Sequence, residues 1–183
     1  MEIFFGGFDS QVHDSWIVIL NQTGDTELLL QLPLIKLKDY GSSMINICAV
    51  MDELRKFPKI ILVAEKVRSS NNQDNAKFKG AKSIQTFGSC LNLIAQMQSE
   101  ATIDIVSLEV QTWKKPFGLD SNKQKSVLTA LNMGLVIPDN GWLNKKDGTK
   151  EASDNLAESY LLAQYARLAM ISEPKITKKT TKK

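Results

Sequence analysis

The sequence predicts an α/β protein built on a five-stranded mixed sheet flanked by helices. Three short apolar runs separated by turn signals open the chain, and beyond residue 42 segments of helical and strand character alternate. The continuous apolar run Ile60 to Ala64 adds a central strand buried on both faces. With 183 residues, 43% of them hydrophobic, the chain can bury a real core. No repeat or linker divides it, so residues 1–172 read as one domain followed by a basic, disordered tail at 173–183.

Residues 2–8 are short, apolar and aromatic, and a polar turn leads to a second apolar run, Trp16 to Leu20. This is a hairpin whose first strand ends at Asp9. A glycine-containing turn, Asn21 to Asp25, precedes a third strand over 27–34, which Pro33 places at an edge. Met44, Ile47, Cys48, Met51 and Leu54 then fall at helical spacing up to Phe57-Pro58. The strand 60–64 follows and ends at Glu65, and the polar stretch 68–77 reads as a mobile loop. A helix over 78–98 is expected to bury Ile84, Phe87, Leu91, Ile94 and Ala95, with Gly88 admitting another backbone. Ile103, Ile105 and Val106 make the fifth strand, and helices over 123–133 and 151–170 complete the order.

Charge and composition narrow the function classes. The 23 basic residues include Lys175, Lys178, Lys179, Lys182 and Lys183, so residues 1–174 hold 18 basic against 20 acidic side chains and the body is not basic. Cys48 and Cys90 are too few for a disulfide framework or a thiolate cage and read as reduced, buried hydrophobes. His13 is the only histidine and reads as a surface turn residue, which disfavours histidine relays and His-rich zinc sites. Neither a P-loop nor a G-x-G-x-x-G fingerprint is present. No basic segment precedes the N-terminal apolar run and no stretch is long enough to span a bilayer, so a soluble, cytoplasmic protein is expected.

The acidic residues offer a site. Asp9 ends the first strand and Glu65 the fourth, so their carboxylates meet if those strands are neighbours. Asp154 and Glu158 are four apart on the last helix, where like charges repel unless a cation lies between them. Carboxylates converging from separate elements suit magnesium, and two such ions about 4 Å apart stabilise both the attacking and the leaving oxygen in phosphodiester cleavage. The plain alternatives are a turn residue at Asp9, a solvated strand end at Glu65 and an N-cap at Asp154.

In this order, the strand ending Gly-Phe-Asp9, the run Ile61 to Val67, Lys82 to Gly88, Val110 to Lys115 and the helix start Asp154-Asn-Leu-Ala-Glu158-Ser resemble RuvC-type Holliday junction resolvases. The likeness covers residues 2–168 and is closest to the shorter bacteriophage and prophage members, which would place the protein in a bacterial host cell. It implies an RNase H-like fold, a homodimer, two magnesium ions per active site, with manganese as the substitute, and paired nicks in four-way DNA. The implied metal-binding catalytic carboxylates are Asp9, Glu65, Asp154 and Glu158, with Asn155 an alternative position for one of them. Two departures stand out: Asp9-Ser10-Gln11 replaces Asp-Pro-Gly, and Glu158 stands where aspartate is common.

The resemblance also assigns DNA contacts. Lys114, Lys115, Lys123 and Lys125 fall on the edge that meets phosphates near the scissile bond, and Lys82 opens the long helix. Trp113 reads as a packing anchor. Arg68 lies where some relatives carry an aromatic that props the junction open, a role that cation stacking could take over. Two other functions stay open: a relaxed structure-specific nuclease acting on branched, flapped or fork DNA, and a non-catalytic DNA-binding module. The actin-like and sugar-kinase ATPases also open on a strand ending Gly-x-Asp, but they need about twice this length.

Overall fold

Strands β1 (Phe4–Phe8), β2 (Trp16–Leu20), β3 (Thr26–Gln31), β6 (Ile60–Glu65) and β7 (Ile103–Leu108) form one sheet in the order β3-β2-β1-β6-β7. β1, β6 and β7 run parallel, while β2 and β3 are antiparallel additions. The sheet is therefore the mixed five-stranded one that the sequence predicts. The computed structural model describes residues 1–9, 14–37, 42–66 and 80–172, except for the side chains of residues 37, 42, 80–87 and 172. The readings at Ser10, Gln11, His13, Arg68, the 68–77 loop and the 173–183 tail lie outside the described residues.

Alternation along the strands divides the core in two. Phe4, Phe8, Ile17, Ile19, Ile60, Leu62, Ala64 and Ile103 face one layer, which is closed by helices α1 (Ile47–Leu54) and α2 (Gly80–Ser99). Phe5, Trp16, Val18, Leu20 and Val63 face the other, closed by α5 (Asp154–Ser172) and joined by Trp113 of the short helix α3 (Val110–Lys114) and Ala130 of α4 (Lys123–Asn132). α5 is buried on nearly every side from Leu156 to Gln164, as expected of a helix that is apolar all round. It reaches the sheet closely because β1 carries Gly7: a Cβ there would lie 1.9 Å from the Ser159 carbonyl oxygen and 2.4 Å from the Ala163 nitrogen.

Several elements differ from the sequence reading. The third strand is interrupted at Pro33, which has no N–H to continue a ladder, and β4 (Leu34–Leu37) pairs instead with β5 (Ser42–Ile45) in a separate hairpin. The helical pattern begun at Met44 therefore starts only at Ile47, where Asn46 caps α1 by accepting from the Ala49 N–H (3.2 Å). Among the described side chains of α2 the buried ones are Ser89, Cys90, Leu93, Ile94 and Met97, so Ile94 is buried as expected while Leu91 and Ala95 face outward; Ile84 and Phe87 lie outside the described side chains. A Cβ on Gly88 would meet no described atom within 4 Å, so the close backbone approach belongs to Gly7. Cys48 is exposed rather than buried. A further hairpin, β8 (Trp142–Asn144) and β9 (Lys150–Ala152), lies between α4 and α5. Among the described residues no helix is long and apolar enough to cross a membrane.

Candidate metal centre

β1 and β6 are parallel neighbours with Phe8 opposite Ala64, so the next residues, Asp9 and Glu65, emerge side by side at the carboxyl ends of their strands. Both continue the odd-numbered face that packs on α5, and Glu158 arrives one turn into that helix. Carboxylate oxygens of Asp9, Glu65 and Glu158 all lie within 4.8 Å of one another. Asp9 and Glu158 are buried and Glu65 is partly so.

Each acid is held by a different neighbour. The Asp9 backbone N–H donates to Ser159 Oγ (3.1 Å), and the Ser159 hydroxyl donates onward to the Trp16 carbonyl (2.9 Å). One buried serine thereby ties α5 to β1 and β2 directly beside the cluster. Glu65 Oε2 accepts from the indole N–H of fully buried Trp113 (3.2 Å). Glu158 Oε1 accepts from Lys114 Nζ (2.5 Å) and from the Ser126 hydroxyl (2.9 Å). Lys114 is itself buried and stands over the Trp113 ring, 5.1 Å from its centroid.

Asp154 stands apart from the three clustered acids. It is the first residue of α5, and its carboxylate is paired with Lys123. It is not the N-cap: Ser153 takes that place, its Oγ accepting from the Leu156 N–H (3.0 Å). Asn155 is buried beside it. Of the expected phosphate-facing residues, Lys114 turns inward to Glu158, Lys123 pairs with Asp154, Lys125 pairs with Asp120, and Lys115 is exposed. Lys82 is described only by its place in α2.

The electrostatics follow from crowding. Asp9 is held well above the usual carboxylate range, first by burial, then by the charges of Glu65, Glu158 and Asp154, with Lys114 opposing. Asp154 pushes the Lys123 ammonium up. Clustered carboxylates in a partly dry pocket are costly unless a cation joins them. The donors are all carboxylate oxygens with no imidazole or thiolate among them, a set that fits a hard divalent cation such as magnesium or manganese.

Trp113 is the buried packing anchor that the sequence predicts, but its bond to Glu65, the roles of Ser126 and Ser159, and the inward turn of Lys114 were absent from the sequence reading. The available signal was polar side chains inside apolar helices, since a buried hydroxyl needs a partner. Ser159 within the run Leu156 to Ala163 is the clearest case.

No protein-family profile and no curated protein matches the chain. Among solved structures it is similar to T. thermophilus RuvC in complex with Holliday junction substrate, with a TM-score of 0.54, 12% identity, and coverage of 93% of this chain and 96% of that one. A Thermus thermophilus RuvC structure aligns with a TM-score of 0.51 at 14% identity over the same shares of both chains. At these identities the likeness is one of architecture, and it identifies the sheet and its flanking helices as the RuvC-like, RNase H-like fold.

Proposed function

We propose that this protein is a metal-dependent endonuclease that resolves four-way DNA junctions, of the kind found in bacteriophage and prophage. The observation that carries the reading is the convergence of Asp9, Glu65 and Glu158, with oxygens within 4.8 Å of each other, at the carboxyl edge of a RuvC-like sheet. Asp9, Glu65 and Glu158 would hold the metal, and Asp154, once released by Lys123, would complete a set for two ions. Bound magnesium supplies an activated water and a counter-charge for the leaving oxygen of a phosphodiester.

The surrounding residues have distinct tasks in this reading. Trp113 aims the Glu65 carboxylate, and Ser126 with Lys114 fixes that of Glu158. Ser159 sets the spacing of α5 from β1. Lys115, Lys123 and Lys125 meet the DNA backbone, with Lys82 and Arg68 on the approaching strand, and all act without reading sequence. A homodimer presents two such sites and nicks opposite strands. Residues 1–172 make up the nuclease domain.

The test is cleavage of a labelled four-way junction beside duplex, flap and fork DNA in magnesium, with wild type and Asp9→Asn. Paired nicks in the junction that vanish in the variant support the proposal. Equal cutting of flap or fork replaces it with a relaxed structure-specific nuclease. Binding without cutting leaves a DNA-binding module.

A further inference from the structure

The β8–β9 hairpin stands just ahead of α5 and takes no part in the carboxylate cluster. Its root is fixed. The Ser153 N–H donates to the Gly141 carbonyl (2.9 Å), and Ser153 Oγ is bonded to Asp14, which also accepts from the Trp16 indole N–H (2.9 Å) and the Gln31 amide (3.0 Å). Gly141 packs so tightly that a Cβ would lie 2.9 Å from both Ile137 and Leu156 side chains. Asp14 precedes β2 at the end of the sheet where β1 delivers Asp9, so the root flanks the carboxylates.

The outer part is an ordered turn. The Lys145 N–H donates to the Thr149 carbonyl (2.8 Å), Asp147 accepts from the Thr149 N–H (3.0 Å) and hydroxyl (2.6 Å), and Gly148 takes the left-handed φ of 82°. Register sorts the two faces: Trp142 lies opposite Ala152 and Asn144 opposite Lys150, so these four share one side. Leu143 and Glu151 share the other, where Glu151 is paired with Lys145 (2.7 Å). The Trp142 face thus combines a 42% exposed indole, an amide and a lysine, with no acid. Lys150 and the neighbouring Lys146 take part in no ion pair among the described residues, and both are exposed.

We propose that this face is a second nucleic-acid contact, in which Lys146 and Lys150 hold the phosphate backbone of a DNA arm leaving the carboxylate site and Trp142 packs on an exposed base or sugar. An unpaired cation beside a presented aromatic is the chemistry that binds nucleic acid backbones and bases, and the carboxylate of the turn, Asp147, is engaged by the Thr149 N–H and hydroxyl. The hairpin's fixed root, continuous with the carboxylate edge, would hold that arm at a set angle. The proposal rests on the nuclease reading above.

The experiment is fluorescence anisotropy of a labelled four-way junction over a range of salt concentrations, with wild type, Lys146→Ala/Lys150→Ala and Trp142→Ala. The double lysine variant is expected to flatten the log–log salt slope by about 2. Trp142→Ala should weaken binding about tenfold with the slope unchanged. The rise in melting temperature on adding magnesium should match wild type in both variants, since neither alters a side chain that touches the carboxylates. Wild-type binding and cleavage with variants that bind equally well would overturn this proposal alone. A wild type that binds no junction would overturn it together with the nuclease reading.

Discussion

Lys114 Nζ lies 2.5 Å from Glu158 Oε1 with both side chains buried, so the carboxylate cluster carries a cation of its own. Replacing Lys114 by methionine keeps the stem's packing and leaves the Glu158 carboxylate with the Ser126 hydroxyl alone. Removing one member of a buried ion pair costs about 3–5 kcal/mol, because the other charge stays desolvated. Lys114→Met should therefore lower urea-denaturation stability in EDTA by about that much, and millimolar magnesium should recover part of the loss. Equal loss with and without magnesium would mean that the metal does not take over the charge that Lys114 supplies to Glu158.

Asp9 contributes in the opposite sense. Its carboxyl is raised by burial and by Glu65, Glu158 and Asp154, so over the window between the ordinary carboxyl value and the raised one the folded state keeps a proton that the unfolded chain releases. Stability of the metal-free protein is then greatest below that window and falls as pH rises through it. Asp9→Asn removes this penalty: thermal unfolding in EDTA at neutral pH should occur at a higher temperature than for wild type, with a flatter pH profile. The rise in melting temperature on adding magnesium should disappear in the variant.

The legible parts of this molecule are those governed by local periodicity. The odd–even alternation of Phe4 to Phe8 and the apolar run at 60–64 place Asp9 and Glu65 at adjacent strand ends, which needs only parallel pairing to become a site. The hairpin of β4 and β5 was hidden because Met44 happens to fit the helical spacing of Ile47, Met51 and Leu54, and only the cap at Asn46 separates them. Partners remote in sequence were equally hidden: Trp113 reaches Glu65 across 48 residues and Lys114 reaches Glu158 across 44. A lysine in a loop-flanked segment reads as solvated or phosphate-facing, and only tertiary packing turns it inward.

The two thiols should separate cleanly. Cys48 is exposed, whereas Cys90 is buried and its thiol is pushed up to about 11, by burial first and then by the charge of Asp9. Since the thiolate is the reactive form, a disulfide reagent at pH 8 should label one equivalent rapidly, at Cys48. The second should appear only in denaturant. A Cys48→Ser variant that still labels rapidly would show that the α2 layer opens in the native state.

The Trp113 indole N–H donates to Glu65 Oε2 (3.2 Å), so it should matter beyond its volume. Trp113→Phe removes the donor and leaves a partly filled space, costing about 1–3 kcal/mol of stability. Magnesium affinity, followed by calorimetry or by thermal shift against metal concentration, should weaken as well. Trp113→Leu forms the control: it also lacks the donor but leaves a larger space, so an equal loss of affinity beside a greater loss of stability fits the hydrogen bond. Unchanged affinity in Trp113→Phe would assign the residue to packing alone.

Gly7 sets the distance on which the cluster depends. An alanine Cβ there would fall 1.9 Å from the Ser159 carbonyl and 2.4 Å from the Ala163 nitrogen, both backbone atoms of α5 that no rotamer change can move. The helix must shift outward, taking Glu158 away from Asp9 and breaking the bond between the Asp9 N–H and Ser159. Overpacking of a core typically costs about 1–3 kcal/mol, and a backbone clash belongs at or above the upper end. Gly7→Ala should melt well below wild type and lose the magnesium-dependent shift. Gly88→Ala makes the matched comparison: with no described atom near its Cβ and a place inside α2, it should gain up to about 1 kcal/mol from helix propensity and keep that shift. Comparable melting temperatures for the two variants would show that α5 does not sit against β1 as closely as Gly7 allows.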